Sequence, residues 1–180
     1  NSNVDSRLYD KEYFEQTDGA DYFYKGEIAP KFLRAIKAGA LTQGQKVLDI
    51  GCGRGDLTIA LARSGANVVG VDYSKDAVEI ALETIGKMDE DISSRISIVQ
   101  SDATALDFSN EEFDSIYMLD IVEHLYPQQL FDCFAECFRI LKPNGSLIVH
   151  TSPNRWYNDF GYPLWERPIN IVANALFKQN

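Results

Sequence analysis

Val47-Leu-Asp-Ile-Gly-Cys-Gly-Arg-Gly55 is the stretch whose residue types most constrain chemistry. A buried strand ends in the acid Asp49 and runs into a Gly-x-Gly-x-Gly turn. Glycines at such a turn let the backbone approach a ligand with no Cβ in the way. The helix expected to start near Arg54 turns its free N–H groups toward the same crevice. A second strand ends in Asp72, where a carboxylate can accept both hydrogen bonds of a ribose diol. Two nucleoside cofactors fit this outline. A dinucleotide site would read Gly-x-Gly-x-x-Gly to seat a pyrophosphate. Here Asp56 stands where the third glycine belongs, and Asp49 and Asp56 put negative charge against a pyrophosphate. The same acids suit a ligand with an ammonium and a sulfonium, so a nicotinamide-dependent oxidoreductase is disfavoured.

The elements that must position these residues follow from periodicity. Lys46–Ile50, Asn67–Asp72, Arg95–Gln100, Phe113–Leu119 and Ser146–Thr151 read as five strands. Apolar residues recur at helical spacing at Leu57, Ala60, Leu61 and Ser64, and at Ala77, Ile80, Ala81 and Ile85. A third helical pattern uses Leu130, Phe131, Phe134, Phe138 and Leu141. Pro143-Asn-Gly145 is expected to stop that last helix before strand five. Strands alternating with helices predict an α/β fold: a doubly wound, mainly parallel sheet with helices on both faces.

These segments resemble class I S-adenosylmethionine-dependent methyltransferases. Val47–Gly55 looks like the family's first motif, and Val68-Val-Gly-Val-Asp-Tyr-Ser74 like its second. Ser101-Asp-Ala103 looks like the step that meets adenine, and Phe113–Leu125 like the fourth motif. Arg139–Val149 looks like the lead into strand five, so the likeness runs over about residues 45–151. It implies a Rossmann-like methyltransferase fold and S-adenosylmethionine as cofactor. Gly51, Cys52 and Gly53 would hold the methionine part through backbone atoms, and Asp49 would position its ammonium. Asp72 would bind both ribose hydroxyls and Tyr73 would cover the adenine. Asp102 with Ala103 would meet the adenine amino edge, and the Leu119 carbonyl would reach the methionine ammonium. For Asp102 a helix N-cap is the competing structural reading.

Methyl transfer to oxygen or nitrogen can require a base. Asp120-Ile-Val-Glu-His124 follows strand four, and His124 is the candidate catalytic residue, with lining the cofactor pocket as its other role. His150, ending strand five, is a candidate for a substrate role. Small-RNA 2′-O-methyltransferases of this family hold a divalent ion with Glu-x-x-Glu-His plus a later histidine, and carry a second histidine beside the first. Here the first acid is Asp120 and the neighbour is Leu125, so no metal is expected.

Composition narrows the partners. With 17 Lys+Arg against 27 Asp+Glu, the net charge is −10, which argues against nucleic acid as substrate. No stretch is long and apolar enough for a membrane span, and no signal peptide opens the chain, which begins at Asn1 as though processed. Cys52, Cys133 and Cys137 lack a framework spacing and read as reduced thiols of a cytoplasmic protein. The expected organisation is one domain over 1–180: an N-terminal helical lid (1–40), a cofactor-binding core (41–151) and a C-terminal tail (152–180). Of 21 aromatics, six fall in 1–24 and six in 151–180, which suggests a lid and a flat acceptor pocket, or else packing across the sheet edges. The family's last two strands form a hairpin; the tail shows no alternating pattern for one, leaving either a shortened chain or a five-stranded fold. The reading is a methyltransferase acting on a small molecule, with oxygen as the acceptor atom implied by the resemblance; the alternative is a non-catalytic cofactor-binding regulatory or interaction domain. Nothing in the sequence fixes the oligomeric state.

Overall fold

Runs rich in Val, Ile and Leu favour the pleated backbone, and where both faces are covered such strands become continuously apolar. In the computed structural model, β1 (Lys46–Ile50), β2 (Asn67–Asp72), β3 (Ile96–Gln100), β4 (Phe113–Leu119) and β5 (Leu141–His150) form one sheet. The order is β3-β2-β1-β4-β5, and every pairing is parallel. The structure describes Tyr13 and residues 27–151. The chain divides into two compact units, Asn1–His150 and Thr151–Asn180. The expectations placed on residues 1–12, 14–26 and 152–180, including most of the lid aromatics and the tail, lie outside the described residues.

The alternation of side chains across the strands builds two apolar layers. On one face Leu48, Ile50, Ile116 and Met118 pack against Cys133, Cys137 and Ile140. On the other, Val47, Val68, Tyr117 and Leu119 pack against Leu57, Leu61 and Ala35. The helices are α1 (Pro30–Ala38), α2 (Asp56–Arg63), α3 (Lys75–Ile85), the short α4 (Glu90–Ser93) and α5 (Pro127–Ile140), with Ala81 and Ile85 of α3 packing in a separate small cluster on Ile59 of α2. A 3-10 turn, Val122–His124, links β4 to α5.

Three local expectations are corrected. α2 starts at Asp56, because Gly55 at φ 90 is its N-cap and Arg54 stays in the turn. α5 buries Cys133, Cys137 and Ile140, whereas Phe131 and Phe138 are 71% and 87% exposed. The two cysteines share a face, as their spacing requires, and that face wins the core. Finally, α5 ends at Ile140 and β5 already begins at Leu141. Phe113 pairs with Leu141 and Ser115 with Ser146, so the residues around Pro143 bulge from the ladder. Proline cannot donate to a ladder and disfavours helix at the residue before it, which ends the helix early. Lys142 pins the bulge through its ammonium, 2.7 Å from Asp114.

Candidate functional site

In this strand order the chain moves outward from β1 in both directions, so the crevice between β1 and β4 is the topological switch point, where such sheets bind ligands. The turn after β1 lies at that edge. Gly51, Gly53 and Gly55 adopt φ of 74, 53 and 90, the left-handed region open to glycine at little cost. The Gly51 and Cys52 N–H groups both donate to the Val71 carbonyl, 2.8 and 3.0 Å away, tying the turn to β2. A Cβ on Gly51 would come within 3.0 Å of the Ile121 side chain. The turn therefore leaves no room for a side chain on the side that meets the loop after β4.

Two carboxylates converge on this turn. Asp72, 8% exposed, accepts from the Gly53 N–H and the Ser74 N–H, both at 2.9 Å. A carboxylate offers about four lone-pair sites, so the fixed group retains acceptor capacity for a ribose hydroxyl. Burial pushes its pKa up, and the backbone donors of Ser74, Gly53 and Tyr73 partly offset that. Asp49, 2% exposed, accepts from the Thr58 hydroxyl at 2.6 Å. Burial, with the nearby charges of Asp72 and Asp56, raises its pKa to about 7 against the Thr58 bond. Asp56 is different: it lies 3.1 Å from the Arg54 guanidinium, so its charge is locally compensated. No cationic side chain among the described residues pairs with Asp49 or Asp72. A ligand with positive charge fits here and a pyrophosphate does not, because it would face two uncompensated acids.

The remaining expected residues are distributed around this centre. Cys52 is buried in the turn, with its thiol held up by burial and the neighbouring acids. Tyr73 is half-buried directly after Asp72, and its carbonyl accepts from the Gln100 side chain at 3.1 Å. Asp102 is exposed and accepts from both the Thr104 N–H and hydroxyl at 2.8 Å. That is a local turn with no helix behind it, so the N-cap reading does not apply. Ala103 is buried against the α5 layer. Leu119 ends β4 beside His150 of β5. His124 closes the 3-10 turn and is exposed.

Asp120 contributes a further cluster. Its Oδ2 accepts from the Lys31 ammonium and its Oδ1 lies against His150 Nδ1, each at 2.7 Å. Burial would raise its pKa, but the bonds and charges of Lys31 and His150 outweigh that and hold it low. Tyr13 senses the same region: burial first, then Glu123, Asp120 and Asp72, raise its phenol. Sequence reasoning missed Thr58, Gly70 and Lys31. Thr58 was visible only as a hydroxyl on a helix that is otherwise apolar. Gly70 left a trace as a glycine inside a β-branched strand, where close approach is the usual cause; a Cβ there would meet Ile98, Thr58 and Cys52 at 2.8–3.1 Å. Lys31 left none, since it reaches Asp120 across 89 residues. Among the described residues, no group of three His, Cys, Asp or Glu gathers as a metal would require.

The chain is similar to known proteins over this core. Residues 47–145 match the family model described as a methyltransferase domain. "Ubiquinone biosynthesis O-methyltransferase, mitochondrial" of Mus musculus is 40% identical over 110 residues, 60% of this chain and 29% of that protein. "Ubiquinone biosynthesis O-methyltransferase" of Chelativorans sp. is 35% identical over 129 residues, 72% of this chain and 49% of that protein. The chain thus spans about half or less of the curated relatives it matches. The solved structure of a putative S-adenosyl-L-methionine-dependent methyltransferase from Methanococcus maripaludis superposes with a TM-score of 0.67 at 23% identity. It covers 98% of this chain and 87% of its own, and it shares the fold. The family match begins at the strand that carries Asp49 and ends in the bulge before β5's paired segment, enclosing the whole glycine turn. The chain belongs to the class I S-adenosylmethionine-dependent methyltransferase family.

Proposed function

We propose that this chain is the cofactor-binding core of a methyltransferase that carries a methyl group from S-adenosylmethionine to an oxygen of a small molecule. The observation that carries this reading is the pair of buried acids, Asp49 and Asp72, beside the Gly51–Gly53 turn, with no cationic side chain among the described residues paired to either. An ammonium near Asp49 relieves its repulsion with Asp72, and the ribose diol takes the remaining lone pairs of Asp72. Gly51, Cys52 and Gly53 line the methionine portion through their backbone. Tyr73 lies along the adenine, whose amino edge meets Asp102 and Ala103. The carbonyl of Leu119 shares the ammonium. The bound cofactor supplies an activated methyl on a sulfonium, and the protein's task is to hold an acceptor in line with it. Oxygen as acceptor atom and a small molecule as acceptor are supported by the two relatives named ubiquinone biosynthesis O-methyltransferase. Three free cysteines suit a reducing compartment such as the cytoplasm.

Thermal unfolding with S-adenosylhomocysteine against NAD tests the reading. At 100 times its dissociation constant, a ligand adds about 2.7 kcal/mol of stability. Stabilisation by the homocysteine nucleoside alone is expected; stabilisation by NAD alone overturns the assignment. Transfer of labelled methyl from S-adenosylmethionine to phenols, quinone precursors and sugars then identifies the acceptor class.

A further inference from the structure

Asp120 stands at a place where the backbone is strained for a purpose. It leaves β4 at φ 57, a conformation that costs most residues and that Asp tolerates. The turn sends its carboxylate between two elements far apart in sequence. Lys31, in the first turn of α1, holds Oδ2, and His150, the last residue of β5, holds Oδ1. The backbone fixes the histidine as well: Leu119 pairs with His150, and the Asp120 N–H donates to the His150 carbonyl at 2.9 Å. This cluster adjoins the cofactor turn, because Ile121, next to Asp120, is the residue that crowds Gly51. The His150 side chain is 43% exposed while its Nδ1 is held by Asp120, so part of the ring faces outward from the cluster.

We propose that His150 is the general base of the methyl transfer and that Asp120 is its positioning residue; this rests on the methyltransferase reading above. A carboxylate on Nδ1 selects the tautomer with the proton there, leaving the lone pair on Nε2. Lys31 fixes the other oxygen, so the carboxylate cannot swing away. In the step, the acceptor hydroxyl gives its proton to Nε2 as its oxygen forms the bond to the methyl carbon. The carbon–sulfur bond breaks, its electron pair stays on sulfur, and the products are a methyl ether, a neutral thioether and an imidazolium facing Asp120.

Nitrogen NMR of the labelled full chain at pH 8 reads the tautomer directly. The expected result is a protonated Nδ1 and a bare Nε2 on His150, with the other tautomer appearing in Asp120→Asn, whose side chain also tolerates the left-handed turn. A proton on Nε2 in the native protein overturns the proposal. Calorimetry with S-adenosylhomocysteine is the second arm. His150→Asn keeps an amide donor toward Asp120 but has no base, and its affinity should stay within about threefold of native. A loss as large as that of Asp72→Ala would make His150 a cofactor contact and overturn the proposal. With the acceptor returned by the methyl-transfer screen, His150→Asn should lower kcat by about 10²–10⁴-fold with little change in acceptor KM. Loss of kcat in His124→Gln but not in His150→Asn overturns it too. Failure of the native chain to bind the nucleoside would sink the methyltransferase reading instead, while the tautomer measurement stands apart.

Discussion

Asp72 has two tasks that pull on the same atoms. Its carboxylate already accepts from Gly53 and Ser74, which fixes the glycine turn to the start of α3. The same rigid carboxylate is what a ribose diol requires, since no reorganisation is left to do when the ligand arrives. Asp72→Ala removes both. Neither apolar layer includes Asp72, so the fold is expected to persist. Hydrogen bonds to a charged group contribute roughly 1.5–3 kcal/mol each, and about 1.4 kcal/mol is tenfold in affinity. Affinity for S-adenosylhomocysteine should therefore fall at least tenfold by calorimetry, and native affinity in the variant would remove Asp72 from the site.

At the level of elements, the crevice exists because β1, its turn and α2 are locked to β2 and to the loop after β4. Gly51 is the hinge of that arrangement: its N–H bonds Val71 and its missing side chain leaves space for Ile121. Gly51→Val forces a branched residue to φ 74 and into Ile121 at once. The expected outcome is loss of detectable nucleoside binding with a lower unfolding temperature. A stable variant that binds with native affinity would show that the turn is not the cradle. The neighbouring elements explain why a small shift is not absorbed. Thr58 of α2 bonds Asp49 of β1, and Gly70 of β2 sits against both Thr58 and Cys52, so the three elements interlock at van der Waals distance.

Across the molecule, ionisation couples folding to ligand binding. The Asp49 pKa is raised to about 7 in the folded chain from an ordinary 3.8, mainly by burial. Between those values the folded state holds a proton that the unfolded state has released, so stability falls as pH rises from about 4 to about 7. Asp56 and Asp72 are raised as well and act in the same direction. Asp114, Glu112 and Glu136 are held low by Lys142, Lys46 and Arg139, so the stability they add is present at neutral pH and is lost on strong acidification. Thermal unfolding from pH 4 to 8 should show a decline that Asp49→Asn reduces. A cationic nucleoside favours the ionised acid, so native affinity should rise with pH toward about 7 and then level, with proton release on binding below it. An unchanged decline in Asp49→Asn, or affinity flat across this range, would sink the linkage.

Much of this was legible in the sequence because it is local. The glycine turn, the acids that end β1 and β2, and the alternation of strands with helices are set by residues a few positions apart, through φ preferences and apolar period. The family likeness rests on those same segments and carried the fold with it. Periodicity nevertheless chose the wrong face of α5: the Phe131, Phe134 and Phe138 stripe is regular, yet Cys133, Cys137 and Ile140 meet the sheet. Local pattern can mark an amphipathic stripe but not which neighbour covers it. The start of β5 was misplaced for a related reason, since the bulge around Pro143 depends on what β4 offers as a partner. The contacts of the site itself were hidden further. Thr58 on Asp49, and Lys31 and His150 on Asp120, join residues separated by 9, 89 and 30 positions. Such distances carry no periodic signal, so only the folded sheet, by bringing strand ends and helix starts to one edge, decided which acid holds which partner.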